Sequence, residues 1–166
     1  MSEFTHFDNE GNAIMVDVTN KNDTVREAVA TGSISLSEQC YMKVKNKSMT
    51  KGDVLGIART AGIMGAKKTC ELIPLCHILN LTKVTVDFSM DDENFTITAE
   101  CLAKTVGKTG VEMEALTGVN ITLLTIYDMC KAIDKGMVIS DIKLMKKTGG
   151  KSGNWERDDS HEGRIR

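Results

Sequence analysis

Aromatic residues make up only 4% of the 166-residue chain, too few for the stacking platforms that bind unpaired bases. Charge of one sign is missing as well. The 21 lysines and arginines against 23 acids leave a net charge of −2, so the chain carries no broad electrostatic footprint for nucleic acid. No apolar run reaches the roughly 20 residues that span a bilayer, and no nucleic-acid or membrane partner is expected. No Cys-x-x-Cys pair occurs, and the five cysteines (Cys40, Cys70, Cys76, Cys101, Cys130) are odd in number. A disulfide framework or a zinc ribbon is therefore not expected. No redox-cofactor motif appears either, so the expected cofactor is none. Free thiols and ten methionines suit a reducing cytoplasm. The opening MSEFTHFDNEGN is polar and acidic and does not read as a signal peptide.

What is present reads as one domain with an ordinary core: 41% apolar and 27% charged residues. Residues 1–22 read as a flexible lead-in, 23–153 as a single catalytic domain, and 154–166 as a charged, mobile tail. In the domain, Val25 to Leu36 alternates apolar residues with serines and predicts a strand. Ser37 resembles an N-cap for a short helix over 38–46. Residues 53–69 predict a second helix rich in glycine and alanine, whose small side chains allow another backbone to approach. The alternating runs 81–90 and 95–104, joined by Asp91-Asp92-Glu93-Asn94, predict a hairpin. A long helix over about 111–134 follows, ended by Gly136 as a C′ glycine, and then a strand over 138–144. The order strand, helices, strand, strand, helix, strand predicts an α+β, ferredoxin-like fold: an antiparallel sheet with helices on one face.

Two stretches raise the question of nucleotide phosphate. VGKTGVEMEAL (106–116) and TGGKSG (148–153) each place Gly-Lys before a hydroxyl residue. A P-loop also needs a glycine five residues before the Gly-Lys pair, to open the phosphate-wrapping turn. Those positions are Leu102 and Met145, so neither copy is a P-loop. What survives is a pair of turns in which backbone N–H groups and an ammonium can converge on an anion.

Other polar groups are open to two readings. Glu112 and Glu114 suit a helix N-terminus through the dipole, or they serve chemistry. Asp128 and Lys131 suit a surface ion pair at i, i+3, or they serve chemistry. His77 is the one histidine outside the tails, beside Cys76 in ELIPLCH (71–77). Carboxylates, one imidazole and several lysines next to glycine turns suit proton transfer on a phosphorylated substrate.

Longer blocks are more specific. KTGVEMEAL (108–116), LTIYDMCKA (124–132) and GGKSG (149–153) resemble the cyclic pyranopterin monophosphate synthase family, MoaC. MVDV (15–18), KGDVL (51–55), AGIMGAKKT (61–69) and ELIPLCH (71–77) match that family in the same order. The resemblance implies a ferredoxin-like enzyme, a lyase of molybdenum cofactor biosynthesis. Its substrate would be a cyclised GTP derivative, (8S)-3′,8-cyclo-7,8-dihydroguanosine 5′-triphosphate, and its products cyclic pyranopterin monophosphate and pyrophosphate. It also implies a hexamer, a trimer of dimers. Asp128 falls on the catalytic acid/base position, with Lys51 and Lys131 on active-site lysines. Leu75, Cys76, His77, Met113 and Glu114 fall on substrate-binding positions, and Glu112, Lys67 and Lys147 on further site positions. A lysine near another cation would lose proton affinity and serve as acid or base. The alternative is a non-catalytic ferredoxin-like module that binds a nucleotide or phosphate.

The chain departs from the family twice. Ile78 stands where proline is common, which frees His77 from the restriction a proline imposes on the residue before it. Gly118-Val119-Asn120 also differs, and a packing change is expected there. Finally, Glu114 and Asp128 lie 14 residues apart on one expected helix, about 21 Å along its axis. One compact substrate does not reach both. The site is therefore expected to form between two chains, with the small residues of 56–66 as the contact, unless the helix breaks at Gly118.

Overall fold

The computed structural model describes residues 6–8, 10–151 and 153–158. Its elements are β1 (Thr24–Ser35), α1 (Glu38–Lys45), α2 (Val54–Lys67), α3 (Thr69–Leu72), β2 (Leu81–Asp91), β3 (Thr96–Gly107), α4 (Glu112–Cys130), β4 (Val138–Thr148) and β5 (Trp155–Glu156). The strands form one sheet in the order β2-β3-β1-β4-β5, and every neighbouring pair is antiparallel. With α2 and α4 as the two crossovers, this is the ferredoxin-like α+β arrangement the alternation predicted.

Strand alternation decides which side is the core. In β1 the buried residues are Arg26, Ala28, Ala30, Gly32 and Ile34, and in β3 they are Ile97, Ala99, Cys101, Ala103 and Thr105. Helix α4 lies across β1, β3 and β4, while α2 rests on β2 and α4. Val119, Leu123 and Ile126 of α4 are fully buried against the sheet, each worth roughly 1.5–3 kcal/mol in water-excluded area. Small residues on both helices set how closely they pack. A Cβ on Gly62 would collide with Thr122 Oγ1 and lie 2.9 Å from the Gly118 carbonyl, and one on Gly118 would collide with Cys101 Sγ.

That contact corrects the expectation that the small residues of 56–66 join two chains. Ala58, Gly62, Gly65 and Ala66 are buried, and Gly62 and Gly65 meet α4 of the same chain. The altered 118–120 run is part of the same seam. Gly118 admits α2, Val119 is buried, and Asn120 Nδ2 donates to the Leu116 carbonyl at 2.9 Å.

The end of α4 is a second correction. The helix stops at Cys130, with Lys131 as its C-cap, four residues short of the expected end. Gly136 is not among the positive-φ glycines, so it is not a C′ glycine. The chain leaves through a turn in which Ile133 and Asp134 both donate backbone N–H bonds to the Cys130 carbonyl. Asp134 Oδ2 then accepts from the Ser37 N–H at 2.7 Å and Oδ1 from the Gly136 N–H at 2.8 Å. A carboxylate, rather than a glycine, ends the helical course. Ser37 is the N-cap of α1 as expected, accepting from the Cys40 N–H. Among the described residues no helix is long and apolar enough to cross a membrane.

Candidate active site

Two clusters of chemistry-bearing residues sit at opposite ends of α4. At its start, Glu112, Met113 and Glu114 line a cavity of about 270 Å³ with Leu75, Cys76 and His77. The single-turn α3 and the Ser-free, proline-containing stretch after it, ending at His77, carry that wall. Residues of the lead-in complete it: His6, Val16, Val18 and Lys21. His77 Nε2 donates to the Val16 carbonyl at 2.7 Å. That bond fixes the ring and places its hydrogen on Nε2, which leaves Nδ1 for a substrate. The following Ile78 is 85% exposed, so the hydrogen bond, and not a proline, positions the imidazole.

Lys147 of β4 lies across from this helix start, with its Nζ 3.2 Å from Glu112 Oε1. Glu114 differs from Glu112. It is 4% exposed and forms no ion pair among the described residues. Burial pushes its carboxyl up to about 7, opposed by a bond from its own backbone N–H and helped by the charge of Glu112. The Cys76 thiol is also pushed up, first by burial and then by the negative charge of Glu114. Cys76 is thus a neutral wall group, not a thiolate nucleophile.

The far end of α4 carries Asp128, with Lys131 Nζ donating to its Oδ1 at 2.7 Å. Lys51, in the loop before α2, donates to the Asp128 backbone carbonyl at 3.2 Å. The hydrogen bond from Lys131, then its charge, with a smaller contribution from Lys51, hold the Asp128 carboxyl below the usual range. The same bond raises Lys131. This agrees with the i, i+3 spacing, from which Asp128 beside Lys131 is expected to be held ionised and oriented. The ion pair is open to solvent, with 64% and 55% of the two side chains exposed, and so contributes little to stability.

Lys67 lies in neither cluster. At the end of α2 it lines a third hollow, beside Ile63 and residues 79–84, which meets the first cavity only at Leu79. Helix α4 runs unbroken from Glu112 to Cys130, so Gly118 is no hinge. Glu114 and Asp128 therefore remain about 21 Å apart along the helix axis within one chain. Among the described residues no three His, Cys, Asp or Glu side chains converge as a metal site.

Comparison with known proteins gives this arrangement its kin. The family model described as "MoaC family" matches residues 15–150, a span that contains both clusters apart from His6. The chain belongs to the MoaC family. It is 55% identical over 159 residues to a protein of Heliobacterium modesticaldum, covering 96% of this chain and 100% of that one. It is 57% identical over 158 residues to one of Natranaerobius thermophilus (95% and 99% covered). To one of Clostridium perfringens it is 56% identical over 154 residues (93% and 98% covered). All three bear the name cyclic pyranopterin monophosphate synthase.

The sequence of this MoaC chain disclosed part of the walls: the two Gly-Lys turns pointed to Lys108 and Lys151, but nothing singled out Lys21 or Arg26. Lys21, Arg26, Lys108 and Lys151 line a second cavity of about 420 Å³, which shares Lys21, Thr109, Gly110 and Glu112 with the first. The match of MVDV (15–18) to the family was the available signal for the lead-in. For Arg26 the signal was a charged residue in the core register of β1.

Glu114 gives a pH test in the MoaC chain. Its folded carboxyl titrates near 7 against about 4.3 unfolded. Between those values the folded state holds the extra proton, so stability falls as pH rises and levels off above about 7. Glu114→Gln does not titrate. Its stability advantage over the wild type, from urea unfolding, should grow by about 3 kcal/mol from pH 4.5 to pH 8. A constant difference across that range would show that Glu114 is not held neutral.

Proposed function

We propose that this chain is a cyclic pyranopterin monophosphate synthase. It converts (8S)-3′,8-cyclo-7,8-dihydroguanosine 5′-triphosphate into cyclic pyranopterin monophosphate and pyrophosphate, as a lyase step in molybdenum cofactor biosynthesis. The observation that carries the reading is identity of 55–57% with three synthases over 93–96% of this chain.

The chemistry of the clusters supports it. The reaction rearranges rings by proton transfers and closes a cyclic phosphate as pyrophosphate leaves. Asp128, held ionised by Lys131, is the acid/base group, and Lys51 and Lys131 are its catalytic partners. Their ammonium groups offset negative charge as it develops on the leaving diphosphate. Glu112, Glu114, His77, Cys76, Leu75 and Met113 bind the ring system, with Glu114 able to donate a proton near neutral pH. Lys147 holds Glu112 and lies on the side of the phosphates, and Lys67 completes the site from its own position on α2.

Because one straight helix separates Glu114 from Asp128, the site forms between two chains. The helix start of one faces the helix end of the other across a two-fold axis. Dimers of this kind, three to a hexamer, act in the cytoplasm. The rival reading is a ferredoxin-like module that binds nucleotide without chemistry. Incubating the chain with the cyclised triphosphate, and with plain GTP as a control, separates the two. The synthase forms the cyclic pyranopterin product from the first and nothing from the second. Binding of the cyclised triphosphate with no product formed would establish the module.

A further inference from the structure

We infer that Cys70 and Cys76 are a reversible disulfide site, closed by a peroxide, whose closure withdraws Cys76 from the cavity at the start of α4. This goes beyond the proposed function, since the bond can form whether or not the chain turns over the cyclised triphosphate. Exposure is the first ground. Cys40, Cys101 and Cys130 are buried, while Cys70 and Cys76 are both partly open to solvent. Susceptibility to an oxidant in solution follows that access.

The path of the chain is the second ground. Cys70 lies in the single-turn helix α3, closed by the Ile73 N–H donating to the Thr69 carbonyl at 2.9 Å. The Cys76 N–H then donates to the Ile73 carbonyl at 3.1 Å, so Ile73-Pro74-Leu75-Cys76 is a reverse turn. One helical turn followed by one reverse turn folds the six-residue separation back on itself. The two thiols lie near enough to feel each other. Cys76 is pushed up by burial first, then by the charges of Glu114 and Cys70. Between α3 and β2, residues 73–80 belong to no helix or strand. This stretch can therefore shift without breaking a ladder.

Place gives the bond its effect. Cys76 lines the cavity with Leu75, His77 and Glu114, and Cys70 does not. An S–S bond of about 2.05 Å draws the Cys76 sulfur toward α3 and out of that wall. Leu75 and His77 flank Cys76 in the chain and move with it. The bond of His77 to the Val16 carbonyl is the contact that such a shift breaks.

The chemistry balances in two steps. Cys76 rests as a neutral thiol, so Cys70 meets the peroxide first. Its sulfur takes one peroxide oxygen, the O–O bond breaks, and a sulfenic acid and one water form. The Cys76 sulfur then displaces the hydroxyl, which leaves as a second water with the Cys76 proton, and the S–S bond forms. Two electrons pass from the two sulfurs to the peroxide. A dithiol returns both electrons by exchange and becomes a disulfide itself.

The probe is hydrogen peroxide, added to the full chain, followed by alkylation of the remaining thiols and peptide mass spectrometry. A Cys70–Cys76 cross-link is expected. Cys40 and Cys130, though hydrogen-bonded to each other, should stay reduced, because both are fully buried. The ring resonances of His77 should shift as the cross-link forms. Turnover of the cyclised triphosphate should fall roughly tenfold or more and return with dithiothreitol. Cys70→Ser should start at the wild-type rate and show no loss that dithiothreitol restores. If Cys70→Ser does not fold, Cys70→Ala carries the same comparison. Alkylation of both Cys70 and Cys76 after peroxide, or sulfinic acid at either without a cross-link, overturns the inference. A cross-link between Cys40 and Cys130 in its place overturns it too. A Cys70–Cys76 cross-link that moves neither the His77 resonances nor turnover overturns the withdrawal of Cys76. The cross-link and the His77 shift, in a chain that turns over no substrate, support the site and remove the synthase function.

Discussion

Asp128→Ala, Lys51→Ala and Lys131→Ala should each lower formation of the cyclic pyranopterin product by about a hundredfold or more, with circular dichroism unchanged. Loss of activity without loss of fold follows from where these groups sit. Asp128 and Lys131 are mostly exposed, and their ion pair contributes little to stability. Lys51 is also exposed and donates to the Asp128 carbonyl. Removing any of them opens no cavity in the core. The proposed reaction, by contrast, uses Asp128 as an ionised carboxylate held in place, and the hydrogen bond from Lys131 does both. The three effects should also not add. Once Asp128 is gone, the ammonium of Lys131 has lost the partner that orients it, so a double variant should be little worse than either single one. A folded single variant that works at the wild-type rate would remove that residue from the mechanism.

Inactive Glu114→Ala and inactive Asp128→Ala proteins, mixed and allowed to exchange subunits, should regain activity. In a two-fold dimer each site takes Glu114 from one chain and Asp128 from the other. Random exchange makes half of the dimers mixed, and each mixed dimer has one site with both residues intact. The recovered activity should approach about a quarter of the wild-type value at equal chain concentration. The unbroken course of α4 from Glu112 to Cys130 makes this a strong test. The alternative, a helix folded back at Gly118, is removed by the way Gly118 packs against Gly62 and Cys101. Confirmed exchange without recovered activity would mean that the two ends of α4 do not serve one site.

The parts of this architecture that follow local rules were readable in advance. Ile34 alternating with serines, the Asp91–Asn94 turn between two alternating runs, and Ser37 before α1 each state a local preference that the fold keeps. The parts that were not readable depend on tertiary contacts. Glycine and alanine in α2 signal close approach but not to what, and the partner proved to be α4 of the same chain. The end of α4 is set by Asp134 binding the Ser37 N–H from 97 residues away, which no helix period encodes. The candidate site followed the same division. Family blocks pointed to Glu112–Glu114, Leu75–His77 and Asp128, and the i, i+3 spacing to the ion pair of Asp128 with Lys131, while the burial of Glu114 depended on the packing around the helix start. Glu114 and Glu112 look alike in sequence, and only burial separates a neutral carboxyl from an ion-paired one.

The central claim is that this chain breaks a triphosphate to close a cyclic phosphate. Phosphorus NMR of the cyclised guanosine triphosphate, incubated with the purified chain, tests it most directly. The three linked phosphate resonances of the substrate should disappear together. They should be replaced by one cyclic phosphate signal and one pyrophosphate signal in the ratio of one product to one pyrophosphate. Persistence of the triphosphate pattern in the presence of excess chain, or its conversion to free orthophosphate, would contradict the account.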